Sequence, residues 1–348
     1  MRESLRKYVI TTATTVLEAL KAMDGTSHDS QTLFVVDENE RMVGTLTDGD
    51  IRRGLIAGVT LSASVSEIMH ANFKFVREGQ NDAQLLKEFR NRQIFFIPVL
   101  DANGHILKVC NLIKYRNFLP VDAVLMAGGK GERLRPLTEK TPKPLLPVGG
   151  KAIIDHNIDR LISYGIKHIN VTVNYLGEQL EEHFSEPRGD VQVLTVREPK
   201  FLGTIGSIKY VKKFYNDTVL VMNSDLFTNI NYEDFYLHFK EHDADMSVAA
   251  VPYDVDIPLG ILNLDGRNIT GLSEKPHFGY YANAGIYLIK KTALELIPED
   301  AMFHSTDLVE VLIAAGKKVI RFPIGGIWID IGTPQEYRRA SDMVRSMY

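Results

Sequence analysis

The sequence predicts an α/β protein whose larger part is a mixed, mostly parallel β-sheet flanked by helices, preceded by a smaller α+β unit. Two observations lead to this prediction. After residue 119, apolar runs typical of strands alternate with helical segments, an order that favours parallel strands joined by crossover helices. Before residue 119, a pattern of helix, two strands and helix occurs twice.

The first 118 residues form this internal duplication. Residues 14–23 have the apolar spacing of a helix, and residues 32–55 follow as strand, turn, strand and helix. In the second copy an Asn-Gly turn joins the two strands, and a closing helix is predicted after them. Two copies of about 50 residues are too few for a solenoid. We therefore expect a pseudo-symmetric pair over residues 1–118 and a second domain over residues 119–348.

The second domain opens with an apolar strand and a glycine-rich loop, and its elements can be assigned in order. The strands are predicted at Ala123–Ala127, His168–Tyr175, Val191–Val196 and Thr218–Asp225, and the helices at Ala152–Tyr164, Gly177–Phe184 and Gly206–Tyr215. Ligands of such sheets bind at the carboxyl ends of the strands. Gly128–Gly131 and Ser224–Asp225 both fall at such ends.

Composition excludes several classes of protein. A net charge of −4 over 348 residues offers no basic field for nucleic acid. The single cysteine, Cys110, rules out an intrachain disulfide and a cysteine-based zinc site. No stretch reaches the length of a membrane span, and the first residues lack the apolar core of a signal peptide. We expect a cytoplasmic protein with no nucleic-acid or membrane partner.

The glycine-rich loop has the chemistry of a phosphate site. Its glycines leave backbone N–H groups open to an anion; they are Gly128, Gly129 and Gly131. Arg133 and Arg135 can reach phosphate oxygens, and two prolines stiffen the backbone that carries Lys143. The alternative is a surface turn with solvated charges. The spacing matches neither the P-loop pattern nor the dinucleotide fingerprint, which argues against a P-loop kinase.

The stretch AGGKGERLRPLTEKTPKPLLPVGGKAI, residues 127–153, resembles the signature of sugar-1-phosphate nucleotidyltransferases. Further segments resemble that family in its order: FLGTIGSI, NSD, PLGIL, EKP, NAGIYLI and WIDIGTPQEY. The resemblance covers residues 121 to about 340. It implies the Rossmann-like fold of nucleotide-diphospho-sugar transferases. The implied reaction joins an NTP and a sugar 1-phosphate into an NDP-sugar and pyrophosphate.

The resemblance also implies roles for individual residues. The catalytic residues are Arg133, Lys143 and Asp225. The nucleotide-binding residues are Ala127, Gly128, Gly129, Gly131, Gly203, Thr204 and Ser207. The residues that bind the sugar phosphate are Gly260, Glu274, Lys275 and Asn283. Asp225 and Asp330 would hold Mg²⁺, which usually takes one or two protein carboxylates. The alternatives are a helix cap for Asp225, a turn for Asp330, and for Lys275 a salt bridge to Glu274 or a solvated charge.

Two departures from the family pattern stand beside these roles. Glu132 occupies a position where a threonine is usual, and Ile205 replaces a small residue near the base. The chain stops soon after its last motif, so we expect no fused acetyltransferase domain. A guanylyltransferase that uses GTP for surface-glycan precursors is favoured. The alternative is a catalytically inactive protein of the same fold that binds nucleotide or sugar as a regulator.

Residues 1–118 resemble a pair of cystathionine-β-synthase (CBS) domains, through the segment GTLTDGDIRRGL. In that family the threonine and aspartate, here Thr47 and Asp50, bind an adenine nucleotide. In the second copy Asn111 and Lys114 replace them, so at most one complete site is expected. The alternative is a packing or dimerisation element, and we expect a homodimer or higher homo-oligomer.

Overall fold

The computed structural model describes residues 3–26, 31–80 and 82–347. The chain divides into two compact units, Met1–Asn117 and Phe118–Tyr348. Each unit has its own sheets and its own apolar core. No helix of the described residues has the length and apolar character needed to cross a bilayer.

The first unit is an α+β duplication. Its elements are α1 (Glu3–Arg6), β1 (Val9–Thr11), α2 (Val16–Asp24), β2 (Thr32–Val36), β3 (Met42–Thr47), α3 (Asp48–Ile56), β4 (Val76–Arg77), α4 (Ala83–Asn91), β5 (Phe96–Leu100) and β6 (Ile106–Asn111). Sheets β1-β2-β3 and β4-β5-β6 each pair their first two strands in parallel and their last two antiparallel. Phe34 of one copy and Phe96 of the other belong to one buried cluster, so the copies share a core.

The closing helix predicted for the second copy is wrong. Thr47 starts α3 with a capping box, in which its side chain and Asp50 satisfy each other's backbone N–H groups. Asn111 accepts the N–H groups of Ile113 and Lys114 at 2.9 and 3.1 Å, but Lys114 carries no carboxylate to complete the box. Residues 112–114 form a turn, and no helix follows before residue 120.

The second unit confirms the mixed, mostly parallel sheet. Its elements are β7 (Asp122–Met126), β8 (Pro147–Val148), β9 (Lys151–Ala152), α5 (Ile153–Ser163), β10 (Ile169–Val173), α6 (Gly177–His183), β11 (Val193–Arg197), β12 (Thr218–Asn223), β13 (Leu226–Thr228), α7 (Tyr232–Glu241), β14 (Met246–Asp256), β15 (Ile261–Asp265), β16 (Asn268–Ser273), β17 (His277–Lys290), α8 (Ser305–Ala314), β18 (Val319–Pro323), β19 (Trp328–Asp330) and α9 (Pro334–Met347). The seven-stranded sheet has the order β11-β10-β7-β12-β17-β14-β18, and β17 alone runs antiparallel to its neighbours. Strand β7 lies inside the sheet between β10 and β12, and its buried position explains its apolar run.

The predicted helix Gly206–Tyr215 is only partly formed. A 3₁₀ helix spans Gly206–Tyr210, and the chain then runs without helix to β12. The buried carboxylate of Asp122 accepts the backbone N–H groups of Tyr215 and Asn216 at 2.6 and 2.9 Å. This contact ties the segment to the start of β7. In a helix the same N–H groups would instead bond to carbonyls within the helix.

Candidate active site

A cavity of the second unit lies at the carboxyl ends of β7 and β12, which pair with Asn223 opposite Met126. Its volume is about 630 Å³. The lining comprises the glycine-rich loop and residues of five further segments: Met126–Arg133, Lys143, Pro144, Asn174, Phe201, Ser224, Asp225 and Gly332. The structure thus brings together all the predicted catalytic residues and the four predicted nucleotide-binding residues of the loop, Ala127, Gly128, Gly129 and Gly131.

Gly131 shapes the loop. Its φ is +63°, and it precedes a short 3₁₀ helix, Glu132–Leu134, that carries Arg133. A Cβ at this position would lie 3.0 Å from both Lys143 Cβ and Thr138 Cγ2. Thr138 donates a hydrogen bond to the Gly131 carbonyl at 2.8 Å. The left-handed backbone and the close approach therefore both require glycine here.

Asp225 lies in a turn held on both sides. Ser224 donates to the Met126 carbonyl at 2.8 Å, and Asn157 of α5 donates to the Leu226 carbonyl at 2.7 Å. These bonds join the turn to β7 and to the helix beneath it. They fix the backbone that carries the carboxylate, as a positioned catalytic group requires.

The Lys143 ammonium forms an ion pair with Oδ2 of Asp225. The lysine side chain is only 9% exposed, so both charges are largely removed from water. The other oxygen, Oδ1, is buried and has no hydrogen-bond partner among the described residues. Buried polar atoms are normally paired. An unpaired carboxylate oxygen at the base of a phosphate loop is therefore suited to a cation.

Asp330 lies next to this pair through the antiparallel ladder of β13 and β19, in which Leu226 is opposite Asp330. Ile331 also donates its N–H to the Asp225 carbonyl at 3.1 Å. Burial raises the pKa of the Asp330 carboxyl, the negative charge of Asp225 raises it further, and Lys143 and Arg133 act in the opposite direction. Two neighbouring carboxylates, one with an unpaired oxygen, fit Mg²⁺, which keeps several water or phosphate ligands. The described residues contain no larger cluster of metal-ligating side chains.

Gly332 is a site residue that the sequence reasoning missed. A Cβ on it would lie 2.8 Å from the nearest guanidinium nitrogen of Arg133. The Arg133 guanidinium therefore lies directly against the backbone that follows Asp330. The available signal was the glycine in WIDIG, two positions after Asp330, the predicted metal ligand.

The predicted base-binding segment lies partly elsewhere. Gly203 has a φ of +81° and packs against the backbone of Phe303, while Thr204 accepts the N–H of Ser305 at 2.9 Å. Neither residue lines the cavity. Ile205 is fully buried, and its N–H bonds to the Phe303 carbonyl. These three residues therefore attach the segment after β11 to the chain around Phe303 through packing and hydrogen bonds.

Glu198 was also missed, and it is buried beside the glycine-rich loop. A Cβ on Gly128 would collide with its Oε1, and its Oε2 accepts the Leu202 N–H at 3.2 Å. Burial raises the pKa of the Glu198 carboxyl, and the bonds from Leu202 and Ser207 partly offset that rise. Ser207, a predicted nucleotide contact, is fully buried, and its hydroxyl is near the Glu198 carboxyl but forms no hydrogen bond of standard geometry among the described residues. The signal was a glutamate just after β11, at the carboxyl edge of the sheet.

The four predicted sugar-phosphate residues lie outside this cavity. Glu274 and Lys275 are exposed, and Lys275 has a φ of +43°. A Cβ on Gly260 would lie 2.9 Å from Oε2 of Glu274, so these two residues are neighbours as expected. Asn283 donates to the Tyr287 hydroxyl at 2.9 Å. The strand that carries Asn283 approaches the carboxyl end of β12, since Gly285 packs against the side chain of Asn223.

Comparison with protein families agrees with this geometry. A nucleotidyl transferase profile matches residues 122–346, and a CBS domain profile matches residues 4–57. The first match covers more than half of the chain. The chain belongs to the nucleotidyl transferase family.

Individual relatives are distant and chemically diverse. The mannose-1-phosphate guanylyltransferase of Mycobacterium tuberculosis is 30% identical over 235 residues, covering 65% of this chain and 66% of that protein. The glucose-1-phosphate adenylyltransferase of Bacillus thuringiensis is 31% identical, covering 64% and 68%. The bifunctional protein GlmU of Methanocaldococcus jannaschii is 30% identical, covering 64% and 53%. The chain thus spans about half to two thirds of the length of the curated relatives that it matches.

Among solved structures, one described as a glucose-1-phosphate thymidylyltransferase of Bacillus anthracis matches with a TM-score of 0.52 at 24% identity. The match covers 66% of this nucleotidyl transferase and 96% of that chain. At this identity the likeness shows the fold alone.

The CBS unit has a cavity of its own, of about 720 Å³. Thr47 and Asp50 line it, together with residues from both copies, among them His70, Phe73 and Lys74. Asp50 is already engaged, because Thr47 donates to its Oδ2 at 2.6 Å and Arg53 donates to its Oδ1. The corresponding Asn111 borders a smaller cavity of about 240 Å³, lined also by Leu5 and Tyr8.

Proposed function

We propose that this protein is a sugar-1-phosphate nucleotidyltransferase, which makes an NDP-sugar and pyrophosphate from an NTP and a sugar 1-phosphate. The observation that carries the proposal is the Lys143–Asp225 ion pair below the glycine-rich loop, with one carboxylate oxygen left unpaired and Asp330 beside it. The family membership supports it.

The residues of the site account for the main needs of this reaction. An oxygen of the sugar phosphate attacks the α-phosphorus of the NTP, a new P–O bond forms, and the bond to the leaving pyrophosphate breaks. Backbone N–H groups of the glycine loop and the Arg133 guanidinium can hold the triphosphate oxygens, and Lys143 brings positive charge to the reacting phosphate. No covalent nucleophile is required, because positioning and charge neutralisation supply the catalysis.

Asp225 and Asp330 would hold Mg²⁺, which when bound supplies positive charge next to the reacting phosphates. Glu274 and Lys275, in the connection between β16 and β17, would hold the sugar and its phosphate. The sequence resemblance supports these four assignments, and the two carboxylates that lie close together support the first two.

We propose GTP as the nucleotide, because of Glu198. A carboxylate accepts hydrogen bonds and donates none when ionised. The guanine edge presents two adjacent donors, N1–H and the N2 amino group, whereas adenine, uracil and thymine place a bare nitrogen or carbonyl beside their donor. The Glu198 carboxylate, which lies beside Gly128 just outside the cavity lining, therefore suits guanine best among these bases. The similarity to the guanylyltransferase of M. tuberculosis agrees, and the product would serve as a precursor for surface glycans.

The deciding experiment is a panel assay. Purified full-length protein with Mg²⁺ is supplied with each of GTP, ATP, UTP, CTP and dTTP against several hexose 1-phosphates, and pyrophosphate release is measured. GTP with one sugar 1-phosphate should give the highest kcat/KM. Binding of these ligands without turnover in any combination would favour the alternative, an inactive regulatory protein of the same fold.

We further propose that the CBS unit binds an adenine nucleotide at Thr47 and Asp50 and regulates the transferase. The observation in favour is that these residues line the 720 Å³ cavity, while Asn111 borders only the smaller one. A homo-oligomer and a cytoplasmic location complete the proposal. The location rests on the substrates, which are intracellular nucleotides.

A further inference from the structure

A two-stranded ribbon continues strands β14 and β17 beyond the ends of their neighbours in the main sheet. It consists of the outer ends of β14 and β17 and the β15–β16 hairpin, residues 252–281, and is called the arm below. Ten large apolar residues on the arm are each at least a third exposed; they are Tyr253, Leu259, Ile261, Leu262, Leu264, Ile269, Leu272, Phe278, Tyr280 and Tyr281. Soluble monomers rarely expose so large an apolar patch.

The hairpin has one wholly apolar face. Leu262 lies opposite Leu272, and Leu264 lies opposite Ile269, with exposures of 50%, 62%, 62% and 64%. Successive side chains alternate between the faces of a strand. The opposite face therefore presents mostly polar positions, among them Asn263, Asp265 and Asn268.

The ribbon between the hairpin and the sheet has a second apolar face. Tyr253 lies opposite Tyr280, and Val255 lies opposite Phe278. The rings of Phe278 and Tyr280 are stacked with their centroids 6.5 Å apart. All three rings are partly exposed, so this face is also uncovered within the described chain.

Such a ribbon needs a cover. An isolated two-stranded hairpin is marginally stable in water. The three aromatic rings of this face, about half uncovered, offer on the order of 300 Å². The aliphatic side chains add to that area, which brings the total to the scale of the roughly 800 Å² per partner that a stable complex buries.

We propose that the arm is a self-association surface, covered in solution by the arm of a second copy of this chain. The apolar faces carry no charge, so packing like against like brings no equal charges together. In a two-fold dimer every contact occurs twice, which suits a patch that is complementary to itself. The proposal does not depend on the proposed reaction.

The charges on the arm agree with this occupant. Asp265 and Arg267 flank Gly266 at the tip of the hairpin, and within the described residues neither forms an ion pair. Two copies can therefore pair these opposite charges reciprocally. An anionic lipid surface is disfavoured, because the arm carries four acidic and only two basic side chains, besides His277.

Sedimentation equilibrium of the full-length protein tests the proposal. The double variant Leu264→Glu, Leu272→Glu places two carboxylates on the apolar face. Its assembly should dissociate at least about tenfold more readily than that of the wild type. The matched control is Ile313→Glu, which places one carboxylate at a side chain that is 60% exposed on α8 and should leave the assembly unchanged. Far-ultraviolet circular dichroism verifies that each variant is folded.

Hydrogen exchange provides a measurement without substitutions. In the wild type the amides of residues 261–273 should exchange more slowly as protein concentration rises. A double variant that assembles like the wild type would overturn the proposal, and so would a wild type that stays monomeric at about 100 μM. Slow exchange that does not depend on concentration would also overturn it, because the arm would then be covered within one chain.

Discussion

Lys143 and Asp225, 82 positions apart in sequence, form an ion pair below the glycine-rich loop. The Lys143 ammonium contacts only one of the two carboxylate oxygens of Asp225, Oδ2. The second oxygen of Asp225 remains buried and unpaired within the described structure. This arrangement keeps a negative charge in place for a cation, and it holds the lysine at the cavity wall, where the proposed reaction needs positive charge. It also makes the pair sensitive to loss of either charge, since an uncompensated buried charge is costly.

Replacement of Asp225 by asparagine should therefore reduce turnover by about 10²–10³ at saturating substrate. The change keeps the shape of the side chain but removes the charge that would bind Mg²⁺. Pyrophosphate release against Mg²⁺ concentration measures both the rate and the apparent metal affinity. The control is Asp159→Asn, which removes the ion pairs of this carboxylate with Lys151 and Arg188, away from the cavity, and should leave both unchanged. Wild-type turnover by Asp225→Asn would remove Asp225 from the mechanism.

Alanine at Gly332 should displace the Arg133 guanidinium, because the added Cβ would lie 2.8 Å from it. A displacement of a positioned group by about 1 Å typically costs about tenfold to a hundredfold in kcat/KM. The control is Gly325→Ala, since no atom lies within 4 Å of the added Cβ there. In an Arg133→Ala background the Gly332→Ala change should have no further effect. An equal loss in both backgrounds would mean that Gly332 acts independently of Arg133.

The sequence predicted the sheet and the catalytic cluster because strand order determines which carboxyl ends meet. Asp225 and Gly128–Gly131 follow neighbouring parallel strands, so their proximity follows from the topology. Gly332 and Glu198 were missed although the glycine of WIDIG and the glutamate after β11 are visible in the sequence, because their contacts with Arg133 and Gly128 join distant segments that no local pattern records. Gly203 shows the opposite case. Its motif predicted a contact with the nucleotide, whereas the structure places Gly203 against the backbone of Phe303.

Glu198→Gln should alter the pH dependence of stability. Because burial raises the pKa of Glu198 in the folded protein, the wild type binds a proton more readily when folded than when unfolded. Its stability therefore falls as pH rises from about 4.3, the unfolded value, through the raised pKa. Glutamine carries no charge, so the variant should gain stability relative to the wild type toward neutral pH and show no gain below pH 4. Thermal unfolding of ligand-free protein across this range measures the difference; a constant difference would contradict the expectation.

The same variant should change the choice of nucleotide. A glutamine offers one acceptor and one donor group, so it cannot accept both guanine donors as a carboxylate does. Discrimination in favour of GTP should fall by roughly tenfold to a hundredfold, the scale of one good bidentate base contact. The ratio of kcat/KM for GTP to that for each other NTP is the measurement. An unchanged ratio would place the base away from Glu198, even if the protein remains an active nucleotidyltransferase.

Binding of an adenine nucleotide to the CBS unit should depend on Lys74. Asp50→Ala also tests the site, but it removes the capping box of α3 and so costs about 1 kcal/mol of stability. Lys74 is exposed, lines the 720 Å³ cavity and caps no helix, so Lys74→Met should weaken binding of an anionic ligand without that cost. The control is Lys108→Met, at the 240 Å³ cavity of the second copy.

Calorimetric titration of the full-length protein with AMP and ADP gives the affinities, and turnover with each ligand gives the regulatory effect. A ligand changes catalysis only if it binds two states of the enzyme unequally. Weaker binding by Lys74→Met, with Lys108→Met unchanged, would assign the ligand to the larger cavity. Binding that leaves turnover unaltered would contradict regulation while keeping the site. Absence of binding would leave the duplicated unit a packing element, because Thr47 and Asp50 already satisfy each other as the start of α3.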